Sequence, residues 1–217
     1  VWYSTLRVTS QPAVEPLTLD IVKAHVRIDN DIDDTTLLPI YLATARASAE
    51  SYLGRALITQ TLVSTIRRLE TDGPGWHWDS WGTGWPSISR TGRRAIELAR
   101  APVQSFTSVS ILDDAGTSTP VTANGVCDIG LDPARLYLDW SAVRDLVPPI
   151  AWPIQHLAIT FTAGYGADGS FVPQPIRNAI LLMTAALYER RGDEAETEMP
   201  KAARYLLDPY RIQFFGG

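Results

Sequence analysis

The stretch Ala45-Arg-Ala-Ser-Ala-Glu-Ser-Tyr-Leu-Gly54-Arg-Ala-Leu-Ile-Thr-Gln-Thr61-Leu-Val-Ser-Thr-Ile-Arg-Arg-Leu69 decides the fold. Its first half continues an apolar series that starts at Leu38 and passes through Tyr41 or Leu42 to Ala45, Ala49 and Tyr52. Apolar residues recurring every three or four positions predict a helix with one buried face. Gly54 suits the position just past the end of that helix, where a left-handed backbone is wanted. The composition then turns to Thr, Val and Ile, and Thr59 to Leu69 reads as a strand.

Upstream, Pro16-Leu-Thr-Leu-Asp20 opens a first helix. Thr18 is its N-cap, Leu17 and Val22 hold the hydrophobic-staple positions, and Asp20 favours the positive end of the helix dipole. The helix should run to about Arg27 and stop in Asp29-Asn30-Asp31. Thr36 is expected to cap the second helix, with Pro39 in its first turn, where the missing N–H costs little. The alanines at 43, 45, 47 and 49 leave room for another helix to pack closely.

Downstream, Ala95–Ala99, Ser105–Leu112, Val126–Ile129, Leu136–Asp139 and Leu157–Ala163 read as short strands. Asp114-Ala-Gly116, Asn124-Gly125, Asp132-Pro133 and Pro148-Pro149 are turn signals between them, which suits an antiparallel meander. Pro175 starts a returning helix with the stripe Ile176, Ile180, Met183 and Leu187, closed by Gly192. A last short helix spans Pro200 to about Leu207, and Asp208-Pro209 ends it. The expected class is α+β in one domain. Both ends of the chain make a helical bundle, 16–58 plus 173–210, with an antiparallel β subdomain, 59–165, inserted between them and a tail at 211–217.

A chain of 217 residues is long enough for an ordinary hydrophobic core without disulfides or metals. Its 19 Lys+Arg against 24 Asp+Glu leave a net charge of −5, which disfavours a surface built to grip phosphates. The lone cysteine, Cys127, excludes a disulfide framework and a multi-cysteine zinc site. The first ten residues lack a targeting pattern. The longest apolar run, Ala179–Leu187, is about half of a membrane span. A cytoplasmic soluble chain without membrane contact is expected.

Asp29-Asn-Asp-Ile-Asp33 imitates a calcium loop, but Asp34 and Ile40 stand where that loop needs Gly and Glu. Gly164-Tyr-Gly-Ala-Asp-Gly169 spells a dinucleotide fingerprint, but no helix follows directly, so it reads as a connecting turn. There is no nucleophile elbow, and His25, His77 and His156 show no ligand spacing. A Cys127–His pair stays open, though a lone cysteine in a strand is most often a small buried residue. No catalytic residue, metal or cofactor is expected.

Two aromatic segments call for explanation. Trp76, Trp78, Trp81 and Trp85 crowd one Gly/Pro-rich loop. They fold back as a lid over the β subdomain, meet another protein, or stack on a sugar. Tyr205, Tyr210, Phe214 and Phe215 follow the last helix with little chain left to cover them. They either dock on a partner or pack on their own bundle.

Several stretches taken in order resemble the tailed-phage head–tail connector proteins, also called adaptor or head-completion proteins. They are Pro16-Leu-Thr-Leu-Asp-Ile-Val-Lys-Ala-His-Val-Arg-Ile-Asp29, Asp33-Asp34, Ala45 to Thr61, Ile96-Glu-Leu-Ala-Arg-Ala-Pro-Val-Gln-Ser-Phe-Thr-Ser-Val109, Ile159-Thr-Phe-Thr-Ala-Gly-Tyr165, Val172 to Ile180 and Tyr188-Glu-Arg-Arg191. The Trp-rich loop and the tail after 192 depart from the family pattern. The resemblance implies a structural protein of a phage or of a prophage-derived particle such as a gene transfer agent, assembled in the bacterial cytoplasm. It implies a dodecameric ring on the portal, a monomer when free, that extends the DNA channel and seats the stopper and tail. DNA would pass without sequence-specific contact. On this basis Tyr205, Tyr210, Arg211, Phe214 and Phe215 are expected to bind the portal. Trp76, Trp78, Trp81 and Trp85 are expected to touch a neighbour or the next ring. The alternative is a carbohydrate- or protein-binding module that uses the Trp-rich loop.

Overall fold

A computed structural model of the chain describes residues 2–28, 32–68, 94–112, 116–121, 126–138, 156–190 and 199–212. The described residues form eight strands and four α-helices, in two units. One unit takes the N-terminal strand and Gln60–Ala163; the other takes Pro12–Thr59 and Gly164–Ile212. The α+β class read from the sequence holds.

In the β unit the strands are β1 (Trp2–Ser10), β2 (Gln60–Arg68), β3 (Arg94–Glu97), β4 (Val103–Leu112), β5 (Ser118–Pro120), β6 (Val126–Asp128), β7 (Arg135–Leu138) and β8 (His156–Ala163). A five-stranded sheet runs β1-β2-β8-β4-β5 and a three-stranded one β3-β7-β6. All these pairings are antiparallel, as expected from the short connections. The order is not a meander, however. β8 comes last in the chain yet lies between β2 and β4. The physical reason is its composition. Leu157, Ile159, Phe161 and Ala163 share one face and are all buried; on the other, Ala158 is buried and His156, Thr160 and Thr162 are half-buried, so no residue of the strand is exposed and it takes the centre. Phe161 pairs with Leu62 on one side and with Phe106 on the other.

The edges show the opposite character. β5 is exposed throughout. β1, absent from the strands read off the sequence, alternates half-buried Leu6 and Val8 with exposed Thr5, Arg7 and Thr9. That alternation, in a run of aromatic and β-branched residues, is the ordinary signature of a half-buried strand. The Thr9 hydroxyl donates to the Thr61 carbonyl at 3.0 Å. In the smaller sheet Ile96 and Leu136 pair and are both buried, and Arg135 meets Glu97 at 3.0 Å.

The helical unit contains α1 (Leu19–Val26), α2 (Ile32–Leu53), α3 (Gln174–Glu189) and α4 (Lys201–Leu207). Thr18 is the N-cap of α1 by its extended backbone, though its side chain makes no capping bond. The staple is real: Leu17 and Val22 are both buried. α2 begins earlier than expected, at Ile32, so Thr36 does not cap it and Pro39 lies inside it. Asp33 and Asp34, read as part of the turn, belong to its first turn, where negative charge is favoured. A proline's fixed φ is itself helical, but Pro39 removes one backbone hydrogen bond and its ring crowds the carbonyl one turn back. The far end agrees with the sequence: Gly54 takes φ +68°, and the Arg55 N–H closes on the Glu50 carbonyl at 3.2 Å.

The core combines Leu38, Leu42, Ala45, Ala49 and Leu53 of α2 with Ile176, Ala179, Ile180 and Met183 of α3, and with Ala203 and Leu207 of α4. The alanines let α2 and α3 pack closely, as anticipated. Beyond Gly54 the chain runs extended through Leu57-Ile58-Thr59, pairing in parallel with Gly166. The Thr59 N–H donates to Gly166 O at 2.9 Å and the Tyr165 N–H to Leu57 O at 3.1 Å. Gly164 sits here with φ +141°, and a Cβ on it would lie 2.6 Å from the Ile58 and Thr59 backbone. The apparent dinucleotide fingerprint is thus a turn that grips the exit strand of α2.

A buried ion network completes the unit. Arg46 and Glu50, one turn apart on α2, are both buried. Arg46 Nη1 meets Glu50 Oε2 at 3.0 Å and Arg46 Nε meets Glu15 Oε2 at 2.8 Å. The other Glu50 oxygen accepts the Leu57 N–H at 2.9 Å. Removing one member of a buried network strands the rest. Glu50→Ala is therefore expected to cost about 3 kcal/mol of stability in urea unfolding. Glu50→Gln, which still accepts the Leu57 N–H, is expected to cost clearly less.

Candidate interaction surfaces

Among the described residues, no group of three or more His, Cys, Asp or Glu could hold a metal ion, and no helix is long and apolar enough to cross a membrane. Cys127 is half-buried on β6, and burial, helped by the neighbouring Asp128 carboxylate, pushes its thiol above the usual range. A raised pKa means less thiolate at a given pH, which is the opposite of a tuned nucleophile. His25 is exposed on α1, His156 is half-buried on β8, and His77 lies outside the described residues.

The C-terminal segment is tied to the end of α2 by an arrangement around Tyr52. The Tyr52 hydroxyl donates to Asp208 Oδ1 and accepts from Arg204 Nε at 3.3 Å. The Arg211 guanidinium lies 5.0 Å from the Tyr52 ring centroid and that of Arg204 6.0 Å, both within cation–π reach. Arg55 Nε donates to the Tyr210 carbonyl, and the Ile212 N–H to the Leu53 carbonyl at 2.9 Å. The Ile212 side chain packs 3.7 Å from the Cβ position of Gly54. The path of the chain as far as Ile212 is therefore set by helix α2.

This locates the expected portal-binding residues. Tyr205 stands 76% exposed on α4. Tyr210 is half-buried against the core, and Arg211 stacks on Tyr52. Phe214 and Phe215 lie outside the described residues, as do Trp76, Trp78, Trp81 and Trp85. Sequence reasoning missed Tyr52, Arg55, Arg204 and Asp208. Tyr52 was read simply as one more residue of the apolar face. A tyrosine at the end of such a stripe, with Arg55 three residues on, is the available signal, because a half-buried phenol ring still needs a partner for its hydroxyl.

A second surface runs along the outer side of α2. A shallow groove there is lined by Pro39, Ile40, Ala43, Thr44, Ala47, Ser48 and Ser51, with no charged side chain. Ile40 is 57% exposed. The Thr44 hydroxyl turns back onto the Ile40 carbonyl at 2.8 Å. An outward helix face normally carries charges. This one carries none over about four turns.

Residues 16–75 match the sequence model of a family described as phage gp6-like head-tail connector protein. The fold matches a chain from the neck of an empty gene transfer agent particle computed with C6 symmetry, with TM-score 0.64 and 23% identity over 98% of both chains. It matches a chain from the virion of the native gene transfer agent particle, with TM-score 0.62 and 26% identity over 98% of both chains. A chain from the neck of the native particle computed with C12 symmetry gives 0.58 and 24%, over 97% of this chain and 98% of that one. No curated protein matches the chain. The resemblance to head–tail connectors read from the sequence is borne out by these findings.

Two outcomes test the geometry. Tyr52→Phe removes one hydroxyl from the anchor and is expected to cost about 1 kcal/mol, with faster hydrogen exchange confined to residues 208–212. Cys127 is expected to react with iodoacetamide more slowly than an unperturbed cysteine peptide at mildly alkaline pH, the gap closing as pH rises further.

Proposed function

We propose that the chain is a structural head–tail connector subunit of a tailed phage or gene transfer agent particle, acting by assembly and not by catalysis. The observation that carries this reading is the end-to-end correspondence with neck and virion chains, 98% of both chains for two of them. On this reading copies form a ring on the portal, extend the DNA channel and seat the stopper and tail. The bundle 16–58 plus 173–210, the β subdomain 59–165 and the tail 211–217 serve as one adaptor domain. The subunit is a component of the particle, put together in the bacterial cytoplasm.

Three features support the proposal. The uncharged groove of α2 suits contact with a neighbouring copy, since interface centres are depleted of charge. The net charge of −5 suits a wall that DNA slides past, because like charges repel. The anchor at Tyr52 gives the tail a fixed starting point, from which Phe214 and Phe215 would reach the portal beside Tyr205. Tyr210 and Arg211 then contribute partly by holding the tail's root. The four tryptophans of 76–85 would meet a neighbour or the next ring.

Ring formation and portal attachment are separable. In negative-stain images of the protein mixed with its portal, the wild type is expected to give rings. Ala47→Glu, which puts a charge into the groove, is expected to abolish them while changing unfolding stability by under about 0.5 kcal/mol, as exposed substitutions usually do. Deletion of 213–217, which spares the anchor, is expected to abolish portal attachment with an unchanged helical signal. Full attachment by the truncated chain would remove the tail from the assignment.

A further inference from the structure

The helical unit carries a protruding aromatic ring and, elsewhere on it, a groove free of charge. Among the described residues eight large apolar side chains are exposed. Six of them have a charged chain neighbour: Glu15 beside Val14, Asp20 between Leu19 and Ile21, Asp128 beside Ile129, Asp132 beside Leu131, and Arg204 beside Tyr205. The other two are Phe171, 58% exposed between Ser170 and Val172, and Ile40, 57% exposed between Pro39 and Tyr41. Ile40 lines the groove of α2, whereas Phe171 does not line the groove of its own chain, although both belong to the helical unit. From this we infer that Phe171 of one copy seats in the α2 groove of the next, so that the groove's occupant is a second copy of this chain. The inference rests on the connector reading and names the contact between neighbours in its ring.

The two surfaces match in charge. Interface centres are depleted of charged groups, because each one buried there must be desolvated. Phe171 and Ile40 can meet without burying a charge, whereas Tyr205 would bring Arg204 with it. They match in shape as well: Ala43, Ala47 and Ser48 leave room along α2 for a bulky ring. The ring is also placed before any contact is made. It packs against Gly166, where a Cβ would lie 2.3 Å from Phe171 Cγ. The Asp168 carboxylate accepts the Ser170 N–H at 2.8 Å, and the Val172 N–H closes on the Gly169 carbonyl at 3.2 Å. Little loop entropy is then lost on association. A protrusion and a hollow at different places on one chain give a head-to-tail contact, which closes into a ring when the rotation allows. One ring in one groove buries far less than the roughly 1,200 Å² of a stable pair. The contact is therefore weak between free copies and takes effect when a template lines many of them up.

The test replaces Phe171 by photoreactive benzoylphenylalanine, which keeps an aromatic ring there, in the full chain mounted on purified portal rings. Part of the chains carry a heavy isotope, so that mass spectrometry separates crosslinks between copies from those within one. Crosslinks are expected from position 171 to residues 39–51 of a different copy. They are expected to vanish when the receiving chain carries Ala47→Trp, which fills the groove without adding charge. Phe171→Ala is expected to cut ring formation roughly tenfold or more, as loss of a central aromatic does, with Phe171→Leu between it and the wild type. Urea unfolding checks the fold of each variant. Should Phe171→Ala loosen its own turn, Ala47→Trp carries the comparison, since it leaves that turn untouched. Rings whose crosslinks from 171 stay within one copy, or run to the portal, overturn the inference and leave the connector reading standing. So do rings formed equally well by the wild type and Ala47→Trp. A wild type that forms no rings removes the connector reading itself, and the inference with it.

Discussion

The Glu50 carboxylate is the constraint on which the helical unit depends. One of its oxygens holds the buried guanidinium of Arg46 and the other accepts the backbone N–H of Leu57. Those two bonds act on opposite sides of the turn at Gly54. A carboxylate buried beside a helix end is costly unless every lone pair finds a partner. Here the partners are the helix itself and the strand that leaves it, so satisfying the charge and fixing the exit path are the same event. Glu15 extends the network to the segment before α1, through Arg46 Nε at 2.8 Å. The segments before and after the first two helices are thus referred to one ion pair on α2, Arg46–Glu50.

How much of this was legible in the sequence depends on how local its causes are. Leu17, Thr18 and Val22 announced α1 because capping and stapling act within one turn. Gly54 announced the end of α2 because a left-handed residue is required there. Ile176, Ile180 and Met183 announced α3 because an apolar stripe has a single helical reading. The strand order was not legible. Which strands lie together in a sheet is a long-range choice, settled by β8 having one fully buried apolar face and no exposed residue on the other, and short connections alone suggested a meander instead. The start of α2 was misread for a subtler reason. Pro39 looked like a first-turn residue, when the acids at 33 and 34 had already begun the helix. β1 was overlooked because Leu6 and Val8 are only half-buried and the strand lies at a sheet edge.

The candidate surfaces divide along the same line. The groove of α2 could be seen in outline, since the alanines and serines between 43 and 51 were visibly free of charge. The sequence reading used them only to explain core packing, although Ala45 and Ala49 face the core and Ala43 and Ala47 line the groove. One small-residue segment thus lines the core on one side and the groove on the other. The Tyr52 cluster could not be seen at all. It joins a tyrosine and an aspartate 156 positions apart, and no periodicity predicts such a meeting.

Both surfaces adjoin one helix, α2. The groove from Pro39 to Ser51 lies along α2, and the Tyr52–Arg55 anchor follows at its end. Within the same stretch stands Glu50, on the buried side, whose bonds fix the helix against its exit strand. The firmness of α2 comes from its buried alanines and its internal ion network, and a core packed in this way leaves little room for one of its elements to shift alone.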